Sequence, residues 1–549
     1  MVSLSRRTFL VRSSLATAGV ALGLRRSAGA MTVPVRSRQA VAQFFPELLA
    51  PDTLRTLANT AIEAAVAAGA DFADIRLADR RDFYIGKFSD SPAKLVGSDS
   101  GGGLSFELSY GLRVRTGGAW AFVFGSEVTA EELVRSARTA AATTKGLARV
   151  VEPAYPMLPA PVATGEWRTP IEIDPFALSP DEHYQIIDAY TDVAKRVPET
   201  SCSPRFRWLA ETRVFASSEG ARLTQHLAGV VPMVWCYGPR KLMINAVSLP
   251  VPGLSPQSAG FEIVVGPGRQ ERIKALAEEV RQLSRYPVAY ADVGRYDAIF
   301  DGYSVAGIAS STLGPALELG RALGDEADGA GTSIFAPIDD VLGQQLFSPN
   351  LNLSVESAMP HLGAAKWDDE GVAMTSFPLI QGGKIVDYCA SRVTAGALAN
   401  WYTKQGNPMT LRGTAFAGVP TQAPVGRARQ LTLHTQPDGP TLDAMIQQLG
   451  TGLLLRSVHQ VQSDQQLATG FMVPDAMLFE VKRGRITRRL RGAAVQLATK
   501  KFWKALRTVG NASTVQNHVD TVYSPDGTLW RDVSAPAIHA AGVDVIQNA

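Results

Sequence analysis

Hydrophobic spacing switches from a helical period to a strand period after residue 70. Apolar residues recur every three or four positions from Pro51 onward and predict a helix that stops near Gly69. The next apolar residues alternate with polar ones and predict two paired strands: Ile75 with Leu77, then Phe83 with Ile85. The first segment therefore combines a helix with a sheet.

A hairpin and a second helix follow in the same unit. The apolar run from Leu112 to Phe124 is interrupted by Thr116-Gly117-Gly118, which predicts a hairpin whose far strand is apolar and buried. Thr129 and Glu132 form a capping-box pattern that opens a helix over residues 130–142. We predict an α+β unit here.

The middle of the chain again alternates between helical and strand periods. Ser179-Pro180-Asp181-Glu182 carries an N-cap, a proline at the first helical position and a capping-box glutamate, and predicts a helix to about Lys195. Two strands follow over residues 205–216 and 223–236, and a helix over residues 268–284 closes the unit.

Strand and turn signals dominate after about Gly294. One predicted hairpin runs from Pro378 to Tyr388 and turns at Gly382-Gly383; another runs over residues 477–490 and turns at Arg483-Gly484. The fold class that follows is α+β, with N-terminal α/β units before a mostly antiparallel, barrel-like C-terminal domain. The predicted divisions are residues 1–30 (signal), 31–152 (N-terminal α+β domain), 153–170 (proline-rich linker), 171–290 (middle α/β domain) and 291–549 (C-terminal β-rich domain).

The first thirty residues are typical of a targeting segment. Ser5-Arg6-Arg7-Thr8-Phe9-Leu10 is a twin-arginine pattern, an apolar run follows over residues 15–24, and Ala28-Gly29-Ala30 is a cleavage site of the Ala-x-Ala type. The apolar run is shorter than the roughly 20 residues of a membrane span. The sequence predicts export by the twin-arginine route to the periplasm or the cell exterior.

Charge and cysteine content exclude some classes of protein. The net charge is +3, and five arginines lie in the signal segment, so the exported chain is close to neutral and nothing favours nucleic acid as a partner. The three cysteines, Cys202, Cys236 and Cys389, are too few for a disulfide framework. Two alternatives remain: one disulfide pair with one free thiol, or three buried thiols.

The most informative segment is YDAIFDGYSVAGIASSTLGPALELGRALGDEADGAGTSIF, over residues 296–335, which predicts a strand and then a helix. Together with KWDDEG at residues 366–371 and the hairpins described above, it resembles the TldD half of the TldD/PmbA peptidase family. That family's helix carries the pattern His-Glu-x-x-x-His. On that pattern Ser310 takes the first His position, Ser311 the Glu and Pro315 the second His.

The substitutions remove the metal chemistry that the resemblance implies. Zinc in a hydrolase needs imidazole, thiolate or carboxylate ligands and a nearby carboxylate base. Serine is a poor zinc ligand, proline offers no donor, and Pro315 should end or kink the helix. The family's third ligand is a cysteine near the C-terminus, yet no cysteine follows Cys389. We therefore predict no metal and no cofactor, although zinc is expected for the family.

A replacement zinc site has no local signal, since no two histidines lie three to five residues apart. The histidines are His183, His226, His361, His434, His459, His518 and His539. A second alternative is a serine hydrolase on the same fold, because residues 302–306 (GYSVA) imitate a nucleophile elbow at Ser304. Neither a histidine nor an acid can be assigned to that serine from the sequence.

Acidic clusters offer weaker candidates. Asp368, Asp369 and Glu370 are candidates for substrate binding, although a turn with carboxylates that accept backbone hydrogen bonds is the commoner use of such a cluster. Four acids follow the altered motif and predict a solvated helix end: Glu318, Asp325, Glu326 and Asp328. Arg321, three residues after Glu318, can pair with it on one face of the helix. Six basic residues between positions 482 and 491 predict a solvated strand face.

The resemblance implies paired subunits around a chamber in which unfolded or modified peptides are cut. The leading hypothesis is an exported family member without the zinc site that serves as a non-catalytic or peptide-binding subunit of a peptidase assembly. It would form a homo- or hetero-oligomer with a TldD/PmbA-type subunit, without nucleic acid and without a membrane span. The alternative is an active peptidase of the family with a non-standard site.

Overall fold

The computed structural model describes residues 48–87, 94–95, 104–151, 155–238, 248–358, 361–458, 461–474, 477–524 and 527–548. The predicted signal segment and His459 lie outside these residues. Within them, no helix is both long and apolar enough to cross a bilayer.

The described residues contain twelve helices. They are α1 (Pro51–Ala67), α2 (Ala130–Leu147), α3 (Pro180–Lys195), α4 (Glu262–Val265), α5 (Arg269–Ser284), α6 (Gly302–Ser311), α7 (Leu313–Ala316), α8 (Leu319–Leu323), α9 (Ile338–Val341), α10 (Ala399–Lys404), α11 (Leu442–Leu449) and α12 (Thr499–Lys504). Single 3₁₀ turns occupy Pro175–Ala177, Ala395–Leu398 and Ala512–Thr514. The predicted starts of α1, α2, α3 and α5 are confirmed within about a residue, and both halves of the α3 capping box are present.

The first sheet joins strands from both sides of the predicted linker. Its strands are β1 (Phe72–Gly86), β2 (Lys94–Leu95), β3 (Leu104–Thr116), β4 (Ala119–Gly125), β5 (Thr164–Arg168), β6 (Ser201–Ser217), β7 (Arg222–Tyr237) and β8 (Ser248–Pro250). The order is β4-β3-β1-β6-β7-β5, with β2 beside β1 and β8 beside β7. One sheet therefore spans the predicted N-terminal and middle units.

Two sequence predictions for this sheet are wrong. The pair of strands expected around Ile75 and Phe83 is one continuous strand, β1, because the charged residues between them find partners on neighbouring segments and need no turn. The far strand of the predicted hairpin, β4, is mostly half-buried and Phe124 is 57% exposed. That exposure follows from the position of β4 at the edge of the sheet.

The first sheet has one apolar face and one charged face. Side chains alternate across a strand. The odd-numbered Ile75 and Leu77 lie in the core with α1 and α2, and Phe83 and Ile85 lie in the core with α3 and α5. Even-numbered side chains such as that of Arg76 face the C-terminal region instead.

The C-terminal strands form separate sheets. They are β9 (Val288–Tyr290), β10 (Gly294–Phe300), β11 (Leu353–Val355), β12 (Phe377–Gln381), β13 (Lys384–Ile385), β14 (Ala415–Phe416), β15 (Val425–Gly426), β16 (Gln430–Leu433), β17 (Gly452–Leu455), β18 (Val461–Ser463), β19 (Thr469–Met472), β20 (Leu478–Lys482), β21 (Arg485–Arg491), β22 (Ala493–Ala498), β23 (Leu506–Val509), β24 (Gln516–Ser524), β25 (Gly527–Ala535) and β26 (Ile538–Gln547). A large sheet runs β18-β19-β22-β26-β10-β17-β20-β21-β9, with β23 beside β26, and another runs β13-β12-β11-β16-β25-β24. The strands β14 and β15 form a separate small pair.

The predicted α+β class with a largely antiparallel C-terminal region is confirmed, and so are the turns at Gly382-Gly383 and Arg483-Gly484. The barrel-like closure is wrong, since the described strands form open sheets. The physical reason is α6, which contacts β24 and β25 of one sheet and β10 and β18 of the other. Both sheets therefore bury apolar surface against this helix.

Candidate functional site

The helix α6 begins at a cap and ends where the altered motif begins. The Asp301 side chain accepts the backbone N–H of Ser304 at 2.9 Å and so caps the N-terminus. The helix ends at Ser311, and Thr312 has φ −119° and ψ −62° before the short α7. The predicted effect of Pro315 is thus observed as a break in the helix, three residues before the proline.

The break leaves carbonyl groups that other segments satisfy. In a continuous helix the N–H of residue 315 would donate to the carbonyl of Ser311, but proline has no N–H. The Ser463 hydroxyl donates to that carbonyl instead, at 2.9 Å. The Arg531 guanidinium donates to the carbonyl of Ser310 at 2.7 Å. A cation therefore lies at the C-terminal end of α6, where the helix dipole favours positive charge.

Arg531 is part of a buried ionic cluster that also contains Glu318, Glu326 and Arg427. Arg531 donates to Glu318 at 2.5 Å and to the Ala428 carbonyl at 2.6 Å. Arg427 donates to Glu318 at 2.9 Å and to both carboxylate oxygens of Glu326 at 2.8 Å. All four side chains are at least 90% buried. Two cations and two anions thus neutralise one another beneath the altered motif.

This cluster corrects the sequence interpretation of two acids. Glu318 and Glu326 were expected on a solvated helix end, yet both are buried in ion pairs. Arg321 does not bond to Glu318 but donates to the carbonyls of Thr332 and Gln465. Only Asp325 and Asp328 are exposed as predicted. The partners of these two buried acids lie about a hundred or more residues away in the sequence.

The residues at the altered motif do not fit zinc. The Ser310 hydroxyl donates to Asp520 at 3.2 Å, and the ring of Pro315 is buried without a donor atom. A β-carbon built on Gly314 would lie 2.9 Å from Nε of Arg531, so the guanidinium lies directly beside the motif. The guanidinium thus occupies the space beside Gly314 and offers only hydrogen-bond donors there, not ligands for a metal ion. Among the described residues, no group of three or more His, Cys, Asp or Glu side chains could hold a metal ion.

Cys389 lies close to the same cluster but is a poor ligand there. Its backbone is bridged to that of Glu318, and its side chain is fully buried. Burial, followed by the charge of Glu318, raises the pKa of the Cys389 thiol well above its ordinary value. The thiol is therefore held protonated at neutral pH, whereas a zinc ligand must be a thiolate.

Ser304, the alternative nucleophile, uses its hydroxyl group in structural hydrogen bonds. Its hydroxyl donates to Asp301 at 2.7 Å and accepts the N–H of Val458 at 3.0 Å. The residue is fully buried. Asp301 also accepts the N–H of Ser457, so this carboxylate ties the start of α6 to the loop after β17. The arrangement is that of a helix cap and not of an exposed nucleophile.

The candidate substrate-binding acids lie together, and each faces inward. Asp368 accepts the N–H groups of Glu370 and Val372 at 2.9 Å and that of Ala415 at 3.0 Å. Burial, then the charge of Glu370, raises the pKa of Asp368 well above its ordinary value. This is the turn geometry that such a cluster commonly adopts.

Asp369 and Glu370 join the turn to the charged face of the first sheet. Asp369 pairs with Arg213, and with Arg76 at 3.8 Å. Glu370 accepts Arg113 at 2.7 Å. Against the effect of burial, Arg213 and then Arg76 lower the pKa of Asp369. The arginines and acids lie in the contact between the first sheet and the C-terminal region, a role that sequence reasoning did not assign to them.

The basic strand near the C-terminus is a pairing surface. On β21 the Arg488 guanidinium donates to both oxygens of Glu480 at 2.8 Å, and Lys482 lies 3.1 Å from the same carboxylate. The Arg488 hydrogen bond lowers the pKa of Glu480 to about 2. In the sequence, the alternation of charged residues along this strand was the signal that could have indicated such pairing.

Comparisons with known proteins agree with this architecture. Residues 293–546 match the family model described as the PmbA/TldA metallopeptidase C-terminal domain. Three crystal structures each align with 90% of this chain: a candidate modulator of a DNA gyrase from Thermotoga maritima MSB8 (TM-score 0.66, 13% identity, 100% of that chain), TldE from Thermococcus kodakarensis (0.65, 14%, 99%) and a candidate modulator of DNA gyrase from Bacteroides thetaiotaomicron VPI-5482 (0.61, 15%, 99%). At these identities the likeness shows the fold. No curated protein matches the chain.

Proposed function

Because its C-terminal region and its fold identify the chain as a TldD/PmbA family protein, we propose that it is an exported, non-catalytic or peptide-binding subunit of a peptidase assembly. Its partner would be a TldD/PmbA-type subunit that carries an intact His-Glu-x-x-x-His motif. Its ligand class is the unfolded or modified peptide. Membership of the family, which the match over residues 293–546 supports, is separate from hydrolysis, which needs a metal site.

The observation that carries the non-catalytic assignment is the Arg531 guanidinium beside the altered motif. It donates to the Ser310 carbonyl and pairs with Glu318, so the polar groups that surround the motif serve the protein's own structure. A divalent cation at positions 310 and 315 would face this guanidinium with no anionic ligand at either position. Loss of ligands together with a cation in the same place favours a scaffold role over weak metal binding.

The first residues of the chain support an extracytoplasmic location for the proposed assembly. The twin-arginine pattern around Arg6 and Arg7 marks a route that carries folded proteins. A subunit exported this way would meet peptides in the periplasm or outside the cell. The double substitution Arg6→Lys with Arg7→Lys should leave the protein in the cytoplasm. Unchanged export of that variant would refute the proposed route.

The main experiment measures metal and cleavage in the same sample. The exported form is purified without chelator, its zinc is counted by mass spectrometry, and cleavage of an unfolded casein peptide is followed with and without added zinc. We expect less than a tenth of a zinc equivalent (~0.1 per chain) and no cleavage, since structural and catalytic sites hold about one metal each. Stoichiometric zinc with chelator-sensitive cleavage would overturn the non-catalytic assignment.

The subunit role is tested by recovery of the partner. A tagged copy expressed in its own host should copurify with a second family member that carries the intact motif, and the purified pair should cleave the peptide in a zinc-dependent way. Fluorophosphonate labelling addresses the serine-hydrolase alternative, with Ser304→Ala as the matched control. Labelling that disappears in that variant would support the alternative over our proposal.

A further inference from the structure

Two of the three cysteines face each other across neighbouring strands. Cys202 on β6 is directly opposite Cys236 on β7 in the antiparallel register. Both side chains are buried, at 1% and 0% exposure, and both are free thiols. The third, Cys389, lies beside Glu318 near the altered motif. The sequence left open whether one pair forms, and the register identifies which pair it would be.

The hydrogen bonds of nearby residues show which kind of cross-strand pair this is. The carbonyl of Val234 accepts the N–H of Val251, and the carbonyl of Pro204 accepts the N–H of Lys87, so both carbonyls point away from the β6–β7 seam. Pro204 and Val234 are therefore opposite each other without mutual hydrogen bonds. Pair types alternate along an antiparallel ladder, so Cys202 and Cys236, two residues further on, form a non-hydrogen-bonded pair as well.

A non-hydrogen-bonded pair brings its side chains closest. Its Cα atoms lie about 4.5 Å apart, within the roughly 4.4–6.8 Å that disulfides span. The sulfur of Cys236 lies 3.9 Å from the Ile273 carbonyl, beneath α5. The contact with Cys236, together with burial, raises the pKa of the Cys202 thiol. The closed fold thus holds the two sulfurs together while it limits their reaction with outside thiols.

The position of the pair supplies a route for an oxidant. The hairpin of β6 and β7 closes at the turn over residues 218–221, whereas the cysteines lie at the other end, one residue from the last pair, Ser201 and Tyr237. Strand ends open more readily than strand centres. Brief opening there would expose one thiol to a disulfide oxidant and return it to its partner on closing.

We propose that Cys202 and Cys236 form a cross-strand disulfide when the protein meets a disulfide oxidant. One thiolate attacks the oxidant to give a mixed disulfide, and the second thiolate displaces the oxidant's remaining thiol. The two cysteines lose two protons and two electrons and gain one S–S bond, and the oxidant is reduced to two thiols. The bond would tie the open end of the hairpin under α5. This inference does not depend on the peptidase-subunit role.

The test counts thiols in the full chain. The reduced protein is incubated with oxidised glutathione, denatured, labelled with a maleimide and digested for mass spectrometry. The maleimide count should fall from three to one, with a cross-linked peptide pair that contains both cysteines and with Cys389 labelled. The temperature of thermal unfolding should rise by about 5 °C on oxidation, because the crosslink restricts the unfolded chain.

Matched variants separate the pair from the third cysteine. Cys389→Ser should lose both remaining thiols on oxidation. Cys202→Ser should give no crosslinked peptide pair and no rise in unfolding temperature, with Cys236 recovered as a free thiol or as a mixed disulfide with glutathione. If either buried substitution fails to fold, the peptide map of the unaltered protein still decides. To remove any limit on access, the protein is also refolded from urea with the oxidant present. Three labelled thiols after that step, or a crosslink to Cys389, would overturn the proposal.

Discussion

Replacement of Arg531 by methionine tests whether the guanidinium holds the altered motif in place. Arg531→Met keeps most of the side-chain volume and removes the charge and all its N–H donors. The Ser310 and Ala428 carbonyls then lose their bonds from this side chain, and Glu318 loses one of its two cations. The arginine is 2% exposed, so water cannot replace these bonds without opening the fold.

The magnitude follows from those three losses. A buried polar group left without a partner costs about 1–3 kcal/mol, and removal of one member of a buried ion pair costs about 3–5 kcal/mol. Glu318 keeps Arg427 and the Ala428 N–H, which lowers the second figure. With each carbonyl at the lower end of its range and the ion-pair loss reduced to about 2 kcal/mol, we expect a loss of about 4 kcal/mol from the free energy of unfolding, a large part of the roughly 5–15 kcal/mol typical of a folded protein.

The assay is urea unfolding followed by tryptophan fluorescence. Trp503 is a suitable reporter, because its indole N–H donates to Thr312 at the helix break. Arg531→Lys keeps the charge but not the fork of donors and should lose about 2 kcal/mol. The control is Arg485→Met on β21, an exposed arginine whose loss should change stability by less than about 0.5 kcal/mol. A loss below about 1 kcal/mol for Arg531→Met would refute the reasoning.

Three further predictions concern other charged or titrating groups. Asp369→Asn should lose about 3 kcal/mol in the same assay, because Arg213 keeps its charge in a buried contact; an unchanged urea midpoint would contradict the role assigned to this contact. Glu480→Gln should be less stable than the parent at pH 7, and the difference should vanish as the pH falls from 4.5 toward 2, because Arg488 lowers the folded-state pKa of Glu480 to about 2; a gap that persists at pH 2 would point to packing instead. Burial lowers the pKa of His183 from 6.5 to about 4, so its contribution to stability should be complete above pH 6.5 and decline between pH 6.5 and 4 as the unfolded chain takes up the proton; a ring resonance that titrates near pH 6.5 in the folded protein would contradict this.

Local signals predicted the five longest helices well. The cap of α3 illustrates why, since Ser179 and Glu182 satisfy each other's backbone groups within a four-residue segment. The turn at Asp368 was recognisable for the same reason, because its carboxylate accepts N–H groups two and four residues ahead. Features of this kind depend on neighbours in sequence and can be predicted from it.

Features that depend on distant partners were missed. The sequence predicts two strands where β1 is one, because the partner of Asp82, Arg207, lies on another strand 125 residues later. The role of Arg531 has no local signal, because its partners are more than a hundred residues away, at Ser310, Glu318 and Ala428. Charge alternation alone does not distinguish a solvated arginine from a buried one. The sequence shows that the family's metal ligands are replaced, but it does not show that Arg531 lies beside the replaced positions.

The pairing of β1 with β6 has a consequence for the order in which the chain folds during synthesis. β1 ends at residue 86 and its neighbour β6 begins at residue 201, so one edge of β1 has no strand partner while roughly 115 residues are made. At about 5–20 residues per second this interval lasts on the order of ten seconds. An unpaired central strand is a template for wrong pairing, so nascent chains stalled between these strands should bind chaperones more strongly than chains stalled after β7.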